Sequence, residues 1–196
     1  MSEVTAAQVA SLRAKTSISM MQCKKALEEC NGDEEKAIEF LRKKGELKAQ
    51  ERSTRQTKEG TIGFYIHPNN KIAALVKLSC ETDFVAKNEE FREFAKNLAM
   101  HVAAVNPAVL SPEEVDDEFI AKEKEITVAQ LQNEGKPANM IETIWKGKEV
   151  KLRNEMALLE QGLVMNPDLI VKNALLDLQT KMGENIKIEN FIRFDI

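Results

Sequence analysis

Residues 61–80 read Thr61-Ile62-Gly63-Phe64-Tyr65-Ile66-His67-Pro68-Asn69-Asn70-Lys71-Ile72-Ala73-Ala74-Leu75-Val76-Lys77-Leu78-Ser79-Cys80. Ile62, Phe64 and Ile66 recur at every second position, and Lys71 to Cys80 is rich in residues that favour strands. His67-Pro68-Asn69-Asn70 reads as a turn, because Pro presets φ and Asn tolerates left-handed backbone. A β-hairpin is expected. It marks a change of period, since the patterned sequence upstream repeats every three or four residues, and it therefore decides between an all-helical chain and a mixed one.

Immediately upstream, from Glu46 to Glu59, the apolar pattern nearly vanishes, with Leu47 and Ala49 its only apolar members. A solvated helix or linker is expected over 46–59, and the domain boundary falls there. Residues 1–45 are expected to form a three-helix N-terminal domain. Thr5 with Gln8, and Ser19 with Gln22, each fit a capping box. The first helix carries Ala6, Val9 and Leu12; the second carries Met20, Cys23, Leu27 and Cys30 along one face. Asn31-Gly32 stops the second helix, and Asp33 caps a third with Ala37, Ile38, Phe40 and Leu41 inward. Lys43-Lys44-Gly45 reads as its end.

Downstream, Asn88 caps a helix with Phe91, Phe94, Ala95, Leu98 and Val102 on one face, ended by Asn106-Pro107. Ser111-Pro112-Glu113-Glu114 is a helix start with Pro at the first position. The charged run from Asp116 to Asn133 has Ile120, Val128 and Leu131 as sparse anchors, and Gly135-Lys136-Pro137 breaks it. Two helical stretches follow, one with Ile141, Ile144 and Trp145, the other with Val150, Met156 and Leu159. A last helix around Val171, Leu175 and Leu178 stops at Gly183, and a strand follows with Ile186, Ile188, Ile192, Phe194 and Ile196 at alternate positions. The fold class is α+β: three N-terminal helices, then a helix-rich core domain over 60–196 with a small antiparallel sheet.

Apolar residues make up 43% and charged residues 31% of the 196, which excludes disordered and low-complexity classes. The net charge of 28 minus 32, or −4, argues against a general attraction to nucleic-acid phosphates. Cys23, Cys30 and Cys80 cannot all pair internally, and the start Met1-Ser2-Glu3-Val4-Thr5 has neither the cationic nor the apolar part of a secretory signal. With no apolar run of ~20 residues either, a cytoplasmic protein with no membrane contact is expected. No phosphate-binding glycine loop is present. His67 and His101 lack metal-ligand spacing, so no cofactor and no metal are expected. Cys80 is followed by Glu81 and Asp83, which would raise its pKa rather than activate it. No catalytic residue can be assigned, and an enzyme is not expected.

Two places carry more than a fold. Met20-Met21 opens a helix, and successive helical residues point about 100° apart. Either both fill gaps in a small core, or one projects beside Lys24, where a flexible thioether suits protein binding. Thr82-Asp83-Phe84-Val85 lies between a strand and a helix cap, so Phe84 is either packed within its loop or presented beside a carboxylate. The basic residues Arg42, Lys43, Lys44, Lys48, Arg52, Arg55 and Lys58 are interrupted by Glu46, Glu51 and Glu59 and have no aromatic companion, which favours a solvated face over an RNA site.

Cys80-Glu81-Thr82-Asp83-Phe84-Val85-Ala86-Lys87-Asn88 resembles the signature of bacterial translation elongation factor Ts. So do Leu12-Arg13, the run Ser19-Met20-Met21-Gln22-Cys23-Lys24-Lys25-Ala26-Leu27, Asn31-Gly32-Asp33, Lys43-Lys44-Gly45 and Gly183-Glu184-Asn185-Ile186. Ser17-Ile18-Ser19 departs from the glycine-rich turn that the family often places before the paired Met. The chain resembles the family's short form. The resemblance implies guanine-nucleotide exchange on the GTPase elongation factor Tu, with no covalent chemistry. It implies a ubiquitin-associated-like N-terminal domain that docks on the GTPase domain with Met20, Met21 and Lys24 near the contact. It further implies that Thr82 to Val85 sits near the GTPase magnesium site, with Asp83 supplying hydrogen bonds or charge, Phe84 acting as an apolar wedge, and Thr82 and Val85 positioning them. Short members can also form homodimers, and the C-terminal β-rich segment is the expected place. The competing readings are a three-helix adaptor without exchange activity, against which the Thr-Asp-Phe-Val run argues, and an RNA-binding translation protein using Arg42 to Lys58, against which the acidic net charge counts.

Overall fold

The computed structural model describes residues 4–16 and 18–196. The Met1-Ser2-Glu3 start and Ser17 of the Ser17-Ile18-Ser19 turn lie outside the described residues. In chain order the elements begin with α1 (Ala6–Thr16), α2 (Met20–Glu29), α3 (Glu34–Arg52), β1 (Glu59–Ile66) and β2 (Ile72–Cys80). Then come α4 (Asp83–Ala86), α5 (Glu89–Val105), α6 (Asp117–Asn133) and α7 (Ala138–Met156). The chain closes with β3 (Gly162–Leu163), β4 (Asn166–Ile170), α8 (Val171–Met182) and β5 (Lys187–Asp195). The class is α+β. β1, β2 and β5 form one sheet with β2 central, and β3 pairs antiparallel with β4.

Two compact units divide the chain: residues up to Ile62 with Lys77–Ala95 and Asn173–Glu189, and Gly63–Val76 with Lys96–Lys172 and Asn190–Ile196. In the first, α1, α2 and α3 pack on one another around Val9, Leu12, Cys23, Ala26, Leu27, Ala37 and Leu41. Ala6, expected inward, is exposed. Thr5 and Gln8 form the reciprocal box: Gln8 N–H donates to Thr5 Oγ1 at 3.3 Å and Thr5 N–H to Gln8 Oε1 at 3.0 Å. Ser19 behaves differently. Its side chain makes no capping bond, and its carbonyl instead accepts from the N–H groups of Gln22 and Cys23, both at 3.0 Å. Asn31 and Gly32 take left-handed backbone, φ 52° and 83°, and end α2. Asp33 then caps α3, its carboxylate accepting from Lys36 N–H at 3.1 Å.

Gly45 does not end α3. It is buried within that helix, and a Cβ built on it would lie 2.9 Å from Thr180 Oγ1 on α8. Its missing side chain is what allows the two helices to approach, and α3 continues for two further turns through the charged segment.

In the second unit α6 packs against α7 over Val115, Ile120 and Trp145. Pro112–Glu114 is a separate turn of 3-10 helix rather than the start of α6, which Asp116 caps through Glu118 N–H at 3.0 Å. The expected pair of stretches after Pro137 is one continuous helix, α7, on which Ile141 and Trp145 are buried while Ile144 and Val150 face outward. Arg153 ties this helix down, donating to Asp117 at 2.7 Å, Glu149 at 3.2 Å and the Val115 carbonyl at 3.2 Å. The alternate apolar residues along and flanking β5 do not share one face: Ile186 and Ile188 are buried, whereas Ile192, Phe194 and Ile196 are exposed. Arg193 instead turns inward and donates to the Ala103 carbonyl at 3.1 Å, so the burial phase shifts by one residue along the strand.

Candidate functional site

Cys80 ends β2, and the chain turns at Glu81 into a single helical turn, α4. Thr82 has extended backbone, φ −125° and ψ 155°, and caps that turn by accepting Val85 N–H at 3.4 Å on Oγ1. Val85 and Ala86 point inward and are buried, so the same turn carries Phe84 outward. Phe84 is 82% exposed, the outcome the sequence left open. A large aromatic this accessible forgoes the ~1.5–3 kcal/mol that burial would return, which marks it as available to a partner. Asp83, beside it, forms an ion pair with Lys87 at 2.6 Å, one helical turn on. That hydrogen bond holds its carboxyl below the ordinary aspartate range.

The turn is held from behind. The buried Cys80 thiol donates to the Thr82 carbonyl at 3.2 Å. Burial first, and then the charge of Glu184, push this thiol up to about 11, so it is protonated at neutral pH and serves as a structural donor. Glu81, Glu184 and Asn185 supply the remaining bonds to the turn. Their part is not readable from residue type or spacing, since the partners lie about a hundred positions apart; the Gly183-Glu184-Asn185-Ile186 run is the one signal that pointed there.

Met20 and Met21 are both exposed, 48% and 72%, where core geometry had asked for one of them inside. Cys23, Ala26 and Leu27 already form the buried stripe of α2, and Ile18, ahead of the helix, packs against the core, leaving neither Met a place. Lys24 stands exposed one turn on, 3.8 Å from Glu28. Two thioethers and an ammonium thus share one end of α2. Thr82, Asp83, Phe84 and Val85 are contiguous on the α4 turn, and no hydrogen bond or ion pair among the described residues joins them to the α2 group.

Three residues of the basic run are internally paired or stacked, Lys43 on Glu39 at 2.8 Å, Arg55 on Glu81 at 3.5 Å and Lys44 over the Phe40 ring at 5.7 Å. Among the described residues, no three His, Cys, Asp or Glu side chains are grouped to hold a metal ion, and no helix is long and apolar enough to cross a membrane. What the surface offers is an exposed aromatic beside a carboxylate on α4, and two exposed thioethers on α2.

The family model described as Elongation factor TS matches residues 2–196. The chain is 50% identical over 193 residues to elongation factor Ts of Solidesulfovibrio magneticus, covering 98% of this chain and 96% of that protein. It is 51% identical over 193 residues to that of Desulfotalea psychrophila, covering 98% of each, and 48% identical over 193 residues to that of Thermosipho melanesiensis, again covering 98% of each. The chain belongs to the elongation factor Ts family, whose role is guanine-nucleotide exchange on elongation factor Tu.

Proposed function

We propose that this chain releases GDP from elongation factor Tu by pressing the Thr82–Val85 turn against the magnesium and phosphate site, while Met20, Met21 and Lys24 dock the three N-terminal helices on the GTPase domain. The observation that carries this reading is Phe84, 82% exposed on a turn whose following side chains, Val85 and Ala86, are buried. Mg²⁺ is held by few protein ligands and several waters, so a small shift of a neighbouring element loosens it and leaves the GDP phosphates poorly compensated. Asp83 would exchange its Lys87 partner for a donor on the GTPase. By linkage, a factor that favours the nucleotide-free partner is itself released when nucleotide rebinds.

Magnitudes require more than one contact. A thousandfold acceleration needs about 4 kcal/mol off the barrier, and burying Phe84 supplies ~1.5–3. The remainder falls to docking through α2 and to Asp83. The test is release of a fluorescent GDP from elongation factor Tu at fixed Mg²⁺, timed against added chain. Wild-type chain should accelerate release in proportion to its concentration, and Phe84→Ala should lose roughly ten- to a hundredfold of that at saturation. Met20→Ser with Met21→Ser should instead raise the concentration needed. No acceleration by the wild-type chain would move the three-helix adaptor reading to the front.

A second copy of this chain is the further partner proposed. Phe64, Ile66, Leu75, Ile192, Phe194 and Ile196 are all exposed on β1, β2 and the C-terminal end of the chain, an apolar set that a lone chain would leave in water.

A further inference from the structure

Every polar atom of Thr82 is engaged. Its N–H donates to Glu184 Oε2 at 3.1 Å and its hydroxyl to Glu184 Oε1 at 2.5 Å, while Oγ1 accepts from Val85 N–H and its carbonyl accepts from the Cys80 thiol and from Ala86 N–H. Glu81 N–H donates to the same Glu184 carboxylate at 3.0 Å. The exchange is reciprocal, because the Glu81 carboxylate accepts from Asn185 N–H at 2.6 Å. Asn185 is 3% exposed, and its amide donates to the carbonyls of Ser53 and Arg55 at 3.3 and 2.9 Å. One dipeptide, Glu184-Asn185, therefore ties the start of α4 to the residues that follow α3.

This matters because α4 is a single turn of four residues, too short to hold itself, since helix nucleation is unfavourable. Phe84, exposed, has little packing to fix its direction; the backbone of α4 must do so. The cap that sets that backbone works only if the Thr82 hydroxyl points its hydrogen elsewhere, leaving a lone pair for Val85 N–H. Glu184 takes that hydrogen. Its bonds to the turn are charge-assisted and so stronger than neutral ones.

We propose that Glu184 is a positioning residue for nucleotide exchange: it orients the Thr82 cap, and through it the Asp83 and Phe84 side chains, while Asn185 registers the turn to the end of α3. This rests on the reading of the Thr82–Val85 turn as the element that meets elongation factor Tu. Glu184 touches no partner in this account; it keeps the wedge aimed before the partner arrives, so its loss should lower the maximal exchange rate more than the affinity.

The test uses the full chain and timed release of fluorescent GDP over a range of chain concentrations, which separates plateau rate from half-saturating concentration. Glu184→Ala is expected to lower the plateau about tenfold, the scale of one charge-assisted hydrogen bond, with a much smaller change in half-saturation. Glu184→Gln, which keeps an acceptor oxygen, should recover part of that loss. Thr82→Val removes only the hydroxyl relay and should reproduce the plateau defect even if Glu184→Ala unfolds. In the Phe84→Ala background, Glu184→Ala should cost little more, because the wedge it aims is already gone. If Phe84→Ala slows exchange while Glu184→Ala and Thr82→Val reach the wild-type plateau, or if the Glu184 and Phe84 losses simply multiply, the positioning role is overturned. If Phe84→Ala itself exchanges at the wild-type rate, the reading of the turn fails, and this inference with it.

Discussion

His101 uses both ring nitrogens inside the protein. It is 1% exposed, Nδ1 accepts Val164 N–H at 3.2 Å, and Nε2 therefore carries the proton and donates to Gln161 Oε1 at 2.9 Å. Gln161 passes the connection on to the Glu155 carbonyl at 2.7 Å, so a single neutral imidazole anchors β3 against α5 and the end of α7. Burial lowers its pKa, partly offset by the Gln161 bond. The sign follows from proton linkage: the unfolded chain binds the proton first, near the ordinary ~6.5, so stability is full above that value and is lost as pH falls through it toward the lowered folded value. Urea unfolding at pH 7.5 and 5.5 should show wild type losing more stability than His101→Gln. The carboxylates held below their ordinary range, such as Asp33, Glu34 and Asp83, lose their contribution at lower pH and leave this window clear. An equal pH dependence in the two proteins would mean that His101 does not carry it.

Among elements, legibility tracks how local the cause is. The Thr5, Asp33 and Asn88 caps and the Gly183 stop, φ 75°, are all readable because partner and cause lie within four residues. Gly45 is not, since Lys43-Lys44-Gly45 looks like a helix end while its reason for being glycine is Thr180, far along the chain. The β3–β4 hairpin escapes pattern reading because Gly162 to Ile170 has no alternation and contains Pro167; Val171 N–H on the Gln161 carbonyl and Val164 on His101 hold it. The site divides likewise, with Phe84 visible as an apolar residue in a connection, while Glu184 is marked only by the family-like Gly183-Glu184-Asn185-Ile186 run and its bond to Thr82 is seen only in the fold. The Gly45 contact makes a prediction at this scale. Gly45→Ala gains up to ~1 kcal/mol of helix propensity and crowds only a rotatable hydroxyl, so its net effect should be small. Gly45→Leu should overpack the α3–α8 approach and cost ~1–3 kcal/mol, seen as a melting point lowered by several degrees. A Gly45→Leu protein as stable as wild type would show that the helices do not need that closeness.

For the whole molecule, the balance of exposed apolar side chains against the net charge of −4 bears on assembly. β2 is central in its sheet, so β1 and β5 both present edges as well as the apolar set of Phe64, Ile66, Ile192 and Phe194. Isoleucine and phenylalanine at these positions follow the period of two that first marked the strands, yet they point to water, which is why the sequence pattern identifies the sheet without identifying what covers it. Covering these four together with Leu75 and Ile196 is worth on the order of 10 kcal/mol gross, and association costs roughly 4–15 kcal/mol. The dimer proposed here should accordingly depend on concentration. Sedimentation between about 1 and 100 µM, a range matched to affinities near −8 to −5 kcal/mol, should show mass rising from one chain toward two. Phe64→Asp or Phe194→Asp should hold the chain as a monomer across that range, because a carboxylate opposite its own copy is both desolvated and repelled. Both substituted side chains are exposed in the single chain, so far-ultraviolet circular dichroism of the variants should match wild type at low concentration. A wild-type chain that stays monomeric at the upper end would remove the second copy as a partner and leave the sheet face to be covered by elongation factor Tu itself; exchange slowed by Phe194→Asp in that monomer would then distinguish a contact surface from an idle one.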